Sequence, residues 1–142
     1  AIVLMKVIAT AVRTAGGSVT GIIPRVFQSL ADPDVHQILT DTLQDRKRLM
    51  LENADAFVAF PGGFGTLDEI TEVIVDAVIR SSPKPLVFLN LDGFYDALFQ
   101  HFDAMFSRKL ADHRYRSMLI CADCPEDVFT ALDTFTVGPG LL

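Results

Sequence analysis

The sequence predicts an α/β protein with a Rossmann-like, doubly wound parallel sheet and helices on both faces. After a first helix, short apolar runs alternate with longer segments of helical periodicity. Two runs, AFVAF and PKPLVFLN, are almost continuously apolar, as parallel strands covered on both faces are. A glycine-rich turn follows the first of these runs, at the position where open α/β sheets bind their ligands.

In the first half of the chain, apolar residues at helical spacing predict a helix that ends at Gly16 and Gly17. SVTGIIP is a short predicted strand that Pro24 ends, SLADPD a loop and HQILT a second strand. The segment LQDRKRLMLENA is predicted to be a helix with four apolar residues toward the core: Leu43, Leu49, Met50 and Ala54.

In the second half, AFVAF is a predicted strand, and a helix beginning near Thr66 follows the glycine turn. Its predicted core face comprises Leu67, Ile70, Val73, Ile74, Ala77 and Val78. Then come the strand PKPLVFLN, the helix GFYDALFQHFDAMF, the strand SMLIC and the helix PEDVFTALDTF with proline in its first turn. In GFYDALFQHFDAMF, a helical row of Phe99, Phe102 and Phe106 predicts core or a subunit interface.

The composition limits the function. A chain of 142 residues suits one domain, 1–142, and a net charge of −6 disfavours nucleic acid and anionic membranes as partners. With no apolar run of about 18 residues, no signal-peptide layout and only two cysteines, we expect a cytoplasmic protein. The chain begins at Ala1, already inside an apolar segment, and we expect it to be N-terminally incomplete.

The turn PGGFGT predicts a phosphate site. Gly62, Gly63 and Gly65 allow positive φ and close approach of a ligand, and the helix that follows points unpaired N–H groups at the same place. The alternative is a tight β–α turn without a ligand. Thr66 and Glu69 also fit a capping box, in which Thr66 is the N-cap and Glu69 reaches back to it.

A basic run, Arg46-Lys47-Arg48, interrupts an otherwise acidic chain. Such a run usually forms a solvated helix face. Near a glycine-rich phosphate turn, a forked guanidinium would instead complement an anion.

Together these elements resemble the Lonely Guy family of cytokinin riboside 5′-monophosphate phosphoribohydrolases, which were formerly described as lysine decarboxylases. The resemblance rests on Arg46-Lys47 with Met50, and on Pro61-Gly62-Gly63-Phe64-Gly65-Thr66 with Glu69. The segments NADAFVAFPGG and LNLDGFYDAL also look like the family's. The chain departs from the pattern at Leu43 and Val75, where the family commonly has Met and Thr, and it lacks the family's N-terminal strand–helix–strand unit.

The resemblance implies hydrolysis of the N-glycosidic bond of an N6-modified adenosine 5′-monophosphate, which releases free base and ribose 5-phosphate. It implies Arg46 and Glu69 as catalytic residues and Glu72 as a pocket residue. The implied phosphate- and nucleotide-binding residues are Lys47, Gly62, Gly63, Phe64, Gly65, Thr66, Leu67 and Asp68. It also implies a homodimer or larger assembly, with neither cofactor nor metal. The alternative is a non-catalytic nucleotide carrier or sensor on the same fold.

Two other features of the sequence give weaker indications of function. Cys121 and Cys124 form a C-x-x-C without the second ligand pair that zinc needs; a redox dithiol is the alternative to two structural cysteines. Nothing in the sequence marks any of the lysines Lys6, Lys47, Lys84 and Lys109 as a pyridoxal Schiff-base site.

Overall fold

The computed structural model describes residues 2–135, and these form alternating helices and strands. In chain order the elements are α1 (Ile2–Thr14), β1 (Thr20–Pro24), β2 (His36–Thr40), α2 (Leu43–Asn53), β3 (Phe57–Ala59), α3 (Phe64–Arg80), β4 (Leu86–Leu89), α4 (Asp96–Ser107), β5 (Leu119–Ala122) and α5 (Pro125–Thr134). Short 3₁₀ helices cover Arg25–Leu30, Leu91–Gly93 and His113–Met118. All strands predicted from the sequence are present, and the first 3₁₀ helix extends into the predicted loop SLADPD.

The described residues form two compact units that meet in the chain between Asn53 and Ala54, each with its own parallel sheet. The α/β class with parallel strands and flanking helices is therefore confirmed. The strands are hydrogen-bonded as a pair and a triplet, whereas the sequence predicted one sheet. Strand patterning reports burial and length, but it does not report which strands are neighbours.

The first unit contains α1, β1, β2 and α2. β1 and β2 pair in parallel, with Ile22 opposite Ile38, and α2 packs against both strands. α1 ends as predicted: Gly16 adopts a φ of +83°, and the Gly17 amide donates to the Val12 carbonyl at 2.9 Å. Such a left-handed residue after the last turn is a common way for a helix to end.

The second unit is built on the sheet β3-β4-β5, in that order and all parallel. β4 is the central strand, and all four of its residues are buried, as its continuous apolar run predicts. Val87 and Leu89 of β4 form a core cluster with Ala122 of β5 and Val128 of α5. This buried sheet sets the position of the turn that follows β3.

The aromatic row of α4 belongs to the core of the second unit. Phe102 and Phe106 are buried, and Phe99 and Phe102 both contact the ring of Phe88 edge to face. Of the two expectations for this row, core or subunit interface, the structure supports core.

Two apolar residues expected in the core lie at the surface instead. Leu43 is 57% exposed at the first position of α2, and Val78 is 46% exposed near the end of α3. In α2 the buried residue is Leu51, with Leu49 and Met50 half-buried; Ala54, which follows the helix, is also half-buried. A helical pattern identifies an apolar face, but residues at its margins and ends are covered only where a neighbouring element reaches them.

No helix within residues 2–135 combines the length and the hydropathy that crossing a bilayer requires.

Candidate active site

The glycine turn links the carboxyl end of β3 to the first residue of α3. Gly63 is the N-cap, with extended backbone angles (φ −97°, ψ −154°) and no side-chain capping bond. The Leu67 amide donates the first helical hydrogen bond, to the Gly63 carbonyl at 3.1 Å. The main-chain N–H groups of Gly63, Phe64, Gly65 and Thr66 therefore precede the intrahelical ladder and stand at the positive end of the helix dipole.

This geometry corrects the prediction that α3 begins near Thr66. Because the helix starts at Phe64, Thr66 is its third residue and cannot be the N-cap of a capping box. Glu69 lies one and a half turns inside the helix, beyond the reach of an N3 capping residue. The capping explanation of the sequence TLDE is therefore wrong.

The three glycines of the turn do not adopt the positive φ that the sequence allowed for them. The glycines with positive φ in the described chain are Gly16 and Gly93. A Cβ atom on Gly63 or Gly65 would meet open space, whereas one on Gly62 would overlap the Thr66 side chain, with Thr66 Cβ at 2.9 Å. The close approach expected at the turn thus has room at Gly63 and Gly65, while Gly62 is required for packing.

The side chains that follow the turn lie on different faces of α3. Phe64 is 92% exposed, Leu67 is half-buried and Asp68 is exposed. Glu69 is half-buried and follows Thr66 by three positions and Gly65 by four, so it shares their face of the helix. Glu72 continues the same row and is half-buried too. Because helical side chains lean toward the N-terminus, this row brings the Glu69 carboxylate toward the glycine turn.

The basic run lies on α2 in the first unit, and its members differ in environment. Arg48 is half exposed and pairs with Glu52 at 3.0 Å, as a solvated helix face predicts. Arg46 is more buried, and its Nε donates to the Ile22 carbonyl of β1 at 3.0 Å. Lys47 is half-buried. Arg46 and Met50 border a cavity of about 590 Å³ whose lining is mostly apolar, between α1, β1 and α2.

The predicted residues from Gly62 to Glu69 thus lie in the turn and the first two turns of α3, and Glu72 follows one turn later. Arg46 and Lys47 belong to the other unit, where Arg46 is held against β1.

Two residues that the sequence did not identify organise the same sheet edge. Asn90 follows β4 and is 7% exposed, and Tyr95 precedes α4 and is 2% exposed. The Tyr95 hydroxyl donates to the carbonyl of Phe60, directly before the glycine turn. The available signal was a lone polar residue after a buried strand, in the segment LNLDGFYDAL.

The surroundings of Cys121 and Cys124 raise the pKa of both thiols. Burial, and then the nearby Asp123 carboxylate, raise the pKa of the Cys121 thiol. At Cys124 the Asp127 amide lowers the pKa, but side-chain hydrogen bonds and partial desolvation outweigh it, so the net direction is again upward. A raised pKa reduces the thiolate fraction on which thiol–disulfide exchange depends. Within residues 2–135, no cluster of three His, Cys, Asp or Glu side chains has the arrangement of a metal site.

Comparison with known proteins shows which proteins this chain resembles. A family model described as possible lysine decarboxylase matches residues 5–132. A probable cytokinin riboside 5′-monophosphate phosphoribohydrolase of Oryza sativa subsp. japonica is 32% identical over 139 residues, covering 96% of this chain and 56% of the relative.

Two further relatives carry the same description. The cytokinin riboside 5′-monophosphate phosphoribohydrolase of Mycobacterium tuberculosis is 40% identical over 97 residues, or 66% of this chain and 52% of its own. A probable one from Arabidopsis thaliana is 33% identical over 135 residues, or 93% of this chain and 67% of its own. The chain therefore spans between about half and two thirds of the length of these relatives.

Proposed function

The chain belongs to the Lonely Guy family, and from this premise we propose that it hydrolyses the N-glycosidic bond of an adenosine 5′-monophosphate, preferably N6-modified. Water adds to C1′ of the ribose, the bond from C1′ to the base nitrogen breaks, and the base leaves with a proton. The products are the free base and ribose 5-phosphate. The reaction requires an anchor for the phosphate, a negative charge near the developing oxocarbenium ion and a donor for the departing base.

The observation that carries this proposal is the glycine turn at the start of α3. The main-chain amides of Gly63, Gly65 and Thr66 precede the intrahelical hydrogen bonds. Gly63 and Gly65 face open space and have no side chain that could obstruct a ligand. This is the arrangement that binds phosphate in many nucleotide enzymes. The Thr66 hydroxyl adds a further donor. Gly62, Phe64, Leu67 and Asp68 complete the turn and the first helical turn around the anion.

Glu69 is proposed to stabilise the cationic ribose or to activate water. Its place on the row of Gly65 and Thr66 supports the role, because a ribose is directly attached to the 5′-phosphate that these residues would hold. Since Glu69 is not a capping residue, its carboxylate is not needed to start the helix. Glu72, on the same row, would shape the pocket.

Arg46 is proposed to donate to the leaving base, and Lys47 to contribute positive charge for the nucleotide. Support comes from the position of Arg46 beside a mostly apolar cavity, where a purine is better accommodated than a phosphate. The bond from Arg46 Nε to Ile22 holds the guanidinium plane at a defined place.

The two other candidate functions have less support. Lysine decarboxylation, which the description of the family model names, requires a lysine as the attachment point of pyridoxal phosphate, and nothing in the sequence singles one out. Lys84, for example, donates to the Ala54 carbonyl at 2.6 Å. A nucleotide carrier would need the glycine turn but neither Arg46 nor Glu69.

We also propose that the chain forms one doubly wound, Rossmann-like domain, acts in the cytoplasm, and assembles as a homodimer or larger homo-oligomer. The support for assembly is a row of exposed apolar side chains on α3: Val75 at 52%, Val78 at 46% and Ile79 at 76%. A contiguous apolar surface of this kind is typical of protein interfaces. A single cooperative unfolding transition would support one domain.

Incubation with AMP and with N6-isopentenyl-AMP, followed by chromatography, tests the proposed reaction. Free base and ribose 5-phosphate should appear in equal amounts, and a Glu69→Gln variant at the same concentration should release far less. Nucleotide binding without base release would support the carrier instead, and adenosine release with free phosphate would mean that a different bond is cleaved.

A further inference from the structure

The ends of the three strands of the second unit are joined by Asn90 and Tyr95. The main-chain N–H of Asn90 donates to the Ala122 carbonyl at the end of β5, at 2.7 Å. Its side-chain oxygen accepts the Tyr95 main-chain N–H at 2.7 Å, and its side-chain nitrogen donates to Asp96 at 2.8 Å. One buried residue therefore fixes the end of β4, the end of β5 and the start of α4 relative to one another.

Tyr95 extends this connection to β3. Its ring packs edge-on against Phe88, with the centroids 5.2 Å apart, and its hydroxyl donates to the Phe60 carbonyl. Burial raises the pKa of the Tyr95 hydroxyl further above neutral, and the protonated group is the donor in this bond. Phe60 is the residue directly before the turn Pro61-Gly62-Gly63.

At Gly63 and Gly65 the turn has no close packing that would define its position. Gly63 caps α3 without a side-chain bond, and a Cβ on Gly63 or Gly65 would contact nothing within 4 Å. With Gly62 packed against Thr66 and no such contact at Gly63 or Gly65, the turn takes its position from its two ends. One end is α3, held by the buried Ile70 and Val73, and the other is the Phe60 carbonyl.

We propose that Tyr95 is a positioning residue: its hydroxyl holds the Phe60 carbonyl and thereby aligns the amides of the glycine turn with the 5′-phosphate of the nucleotide. This inference rests on the proposed function for the identity of the ligand. Amides that are already aligned bind an anion without having to reorganise, and misalignment weakens all of their bonds together.

The variant Tyr95→Phe removes the hydroxyl and keeps the ring. Tyr115→Phe is a matched control, because Tyr115 is also buried, at 6% exposure, and donates to a main-chain carbonyl of the same unit. That carbonyl belongs to Val78, close to the opposite end of α3. Calorimetry with AMP, inorganic phosphate and adenosine, steady-state base release and amide NMR spectra of the full chain are compared for both variants.

We expect Tyr95→Phe to weaken AMP and phosphate binding and to raise KM by about five- to tenfold, the worth of one buried hydrogen bond. Because the phosphate is held alike in the ground and transition states, kcat should stay within about twofold. Adenosine binding should not change. The amide signals of Gly62, Gly63 and Gly65 should shift in Tyr95→Phe but not in Tyr115→Phe, which loses a longer bond of 3.4 Å at the far end of α3.

Equal AMP affinities of the two variants would overturn the inference. Wild-type chain that binds AMP but releases no base would refute the proposed reaction, yet the affinity comparison would still decide the role of Tyr95. Wild-type chain that binds neither AMP nor phosphate would refute both. If Tyr95→Phe does not fold, Asn90→Ser replaces it as the test, because it disturbs the same connection and keeps the Tyr95 hydroxyl. We expect Asn90→Ser to weaken AMP binding as well. Unchanged AMP binding by this variant would overturn the inference.

Discussion

The main-chain amide of Leu67 donates to the carbonyl of Gly63, and this 3.1 Å bond makes Gly63 the N-cap of α3. Gly63 thus caps the helix and Gly65 is its second residue, and at both glycines an anion could contact the main chain directly. The same bond removes Glu69 from any capping role. The predictions for the turn and for Glu69 depend on this relationship.

Glu69→Gln should separate catalysis from folding. The substitution keeps the shape and removes the charge, so turnover should fall by a factor on the order of 100. The fold should be retained, because no helix-capping bond is lost and glutamine keeps a hydrogen-bonding oxygen at the same place. AMP affinity should stay within a few-fold, because the phosphate turn is intact. Steady-state base release and chemical denaturation measure these effects.

The control for this substitution is Asp76→Asn, which removes a carboxylate from the same helix where it pairs with Arg80 at 2.6 Å. Its turnover should remain near that of the wild type. Normal base release by Glu69→Gln would contradict the catalytic assignment.

Arg46→Ala and Arg48→Ala should differ in turnover, although the two arginines are only two positions apart on α2. Arg46→Ala should reduce turnover about 100-fold, because the base loses its proposed donor, whereas Arg48→Ala should stay within about twofold. Arg46→Ala also leaves the Ile22 carbonyl without that partner and should cost about 1–2 kcal/mol of stability. Assays are therefore run well below the midpoint of thermal unfolding.

Arg46→Lys separates the effect of the charge from that of the guanidinium geometry, since lysine keeps the positive charge but lacks the planar group with its paired N–H donors. Turnover of Arg46→Ala equal to that of Arg48→Ala would contradict the catalytic assignment of Arg46.

Gly65→Ala should stabilise the fold and weaken the site. Gly65 is the second residue of α3, and a methyl group there meets open space, so alanine should raise the free energy of unfolding by about 0.4–1 kcal/mol. The same methyl group would stand where the phosphate approaches, and phosphate affinity should fall about tenfold or more. Thermal unfolding and phosphate calorimetry report the two effects.

Gly62→Ala gives the contrast, because its Cβ would overlap the Thr66 side chain and should lower stability. A Gly65→Ala variant that keeps full phosphate affinity would argue for a turn without a ligand.

Ile79→Glu should disrupt assembly. Ile79 is 76% exposed on α3, and a buried carboxylate in an apolar interface is costly. In sedimentation velocity, the wild-type chain should run above its monomer mass of 15.6 kDa, and the variant should shift toward that mass. Phe129→Glu, at a residue 68% exposed on α5, should leave assembly unchanged. A monomeric wild type would contradict the proposal.

The order and type of the elements could be predicted from the sequence because they depend on neighbours along the chain. The run LVFL predicts a strand buried on both faces, and β4 is one. Gly16 and Gly17 end α1 through contacts within one helical turn. The glycine turn and Glu69 are close in the sequence, so one local motif identified most of the candidate site.

The start of α3 shows where local reasoning fails. The capping-box pattern of Thr66 and Glu69 placed the predicted start after Gly65, and glycine disfavours helix interiors by about 1 kcal/mol. In the structure the helix begins before it, at Phe64, and Ile70 and Val73 on the same helix are buried. Tertiary packing of an apolar face commonly outweighs the propensity of a single residue.

By itself, the sequence determined the α/β class, the strand and helix segments and the family to which the chain belongs. Only the tertiary structure decided that Arg46 is held by Ile22, that Leu43 is exposed, and that Tyr95 reaches Phe60 across 35 positions. The physical reason is that a hydrogen bond between distant residues depends on how strands and helices pack. The spacing of residues along the sequence does not indicate which distant residues this packing brings together.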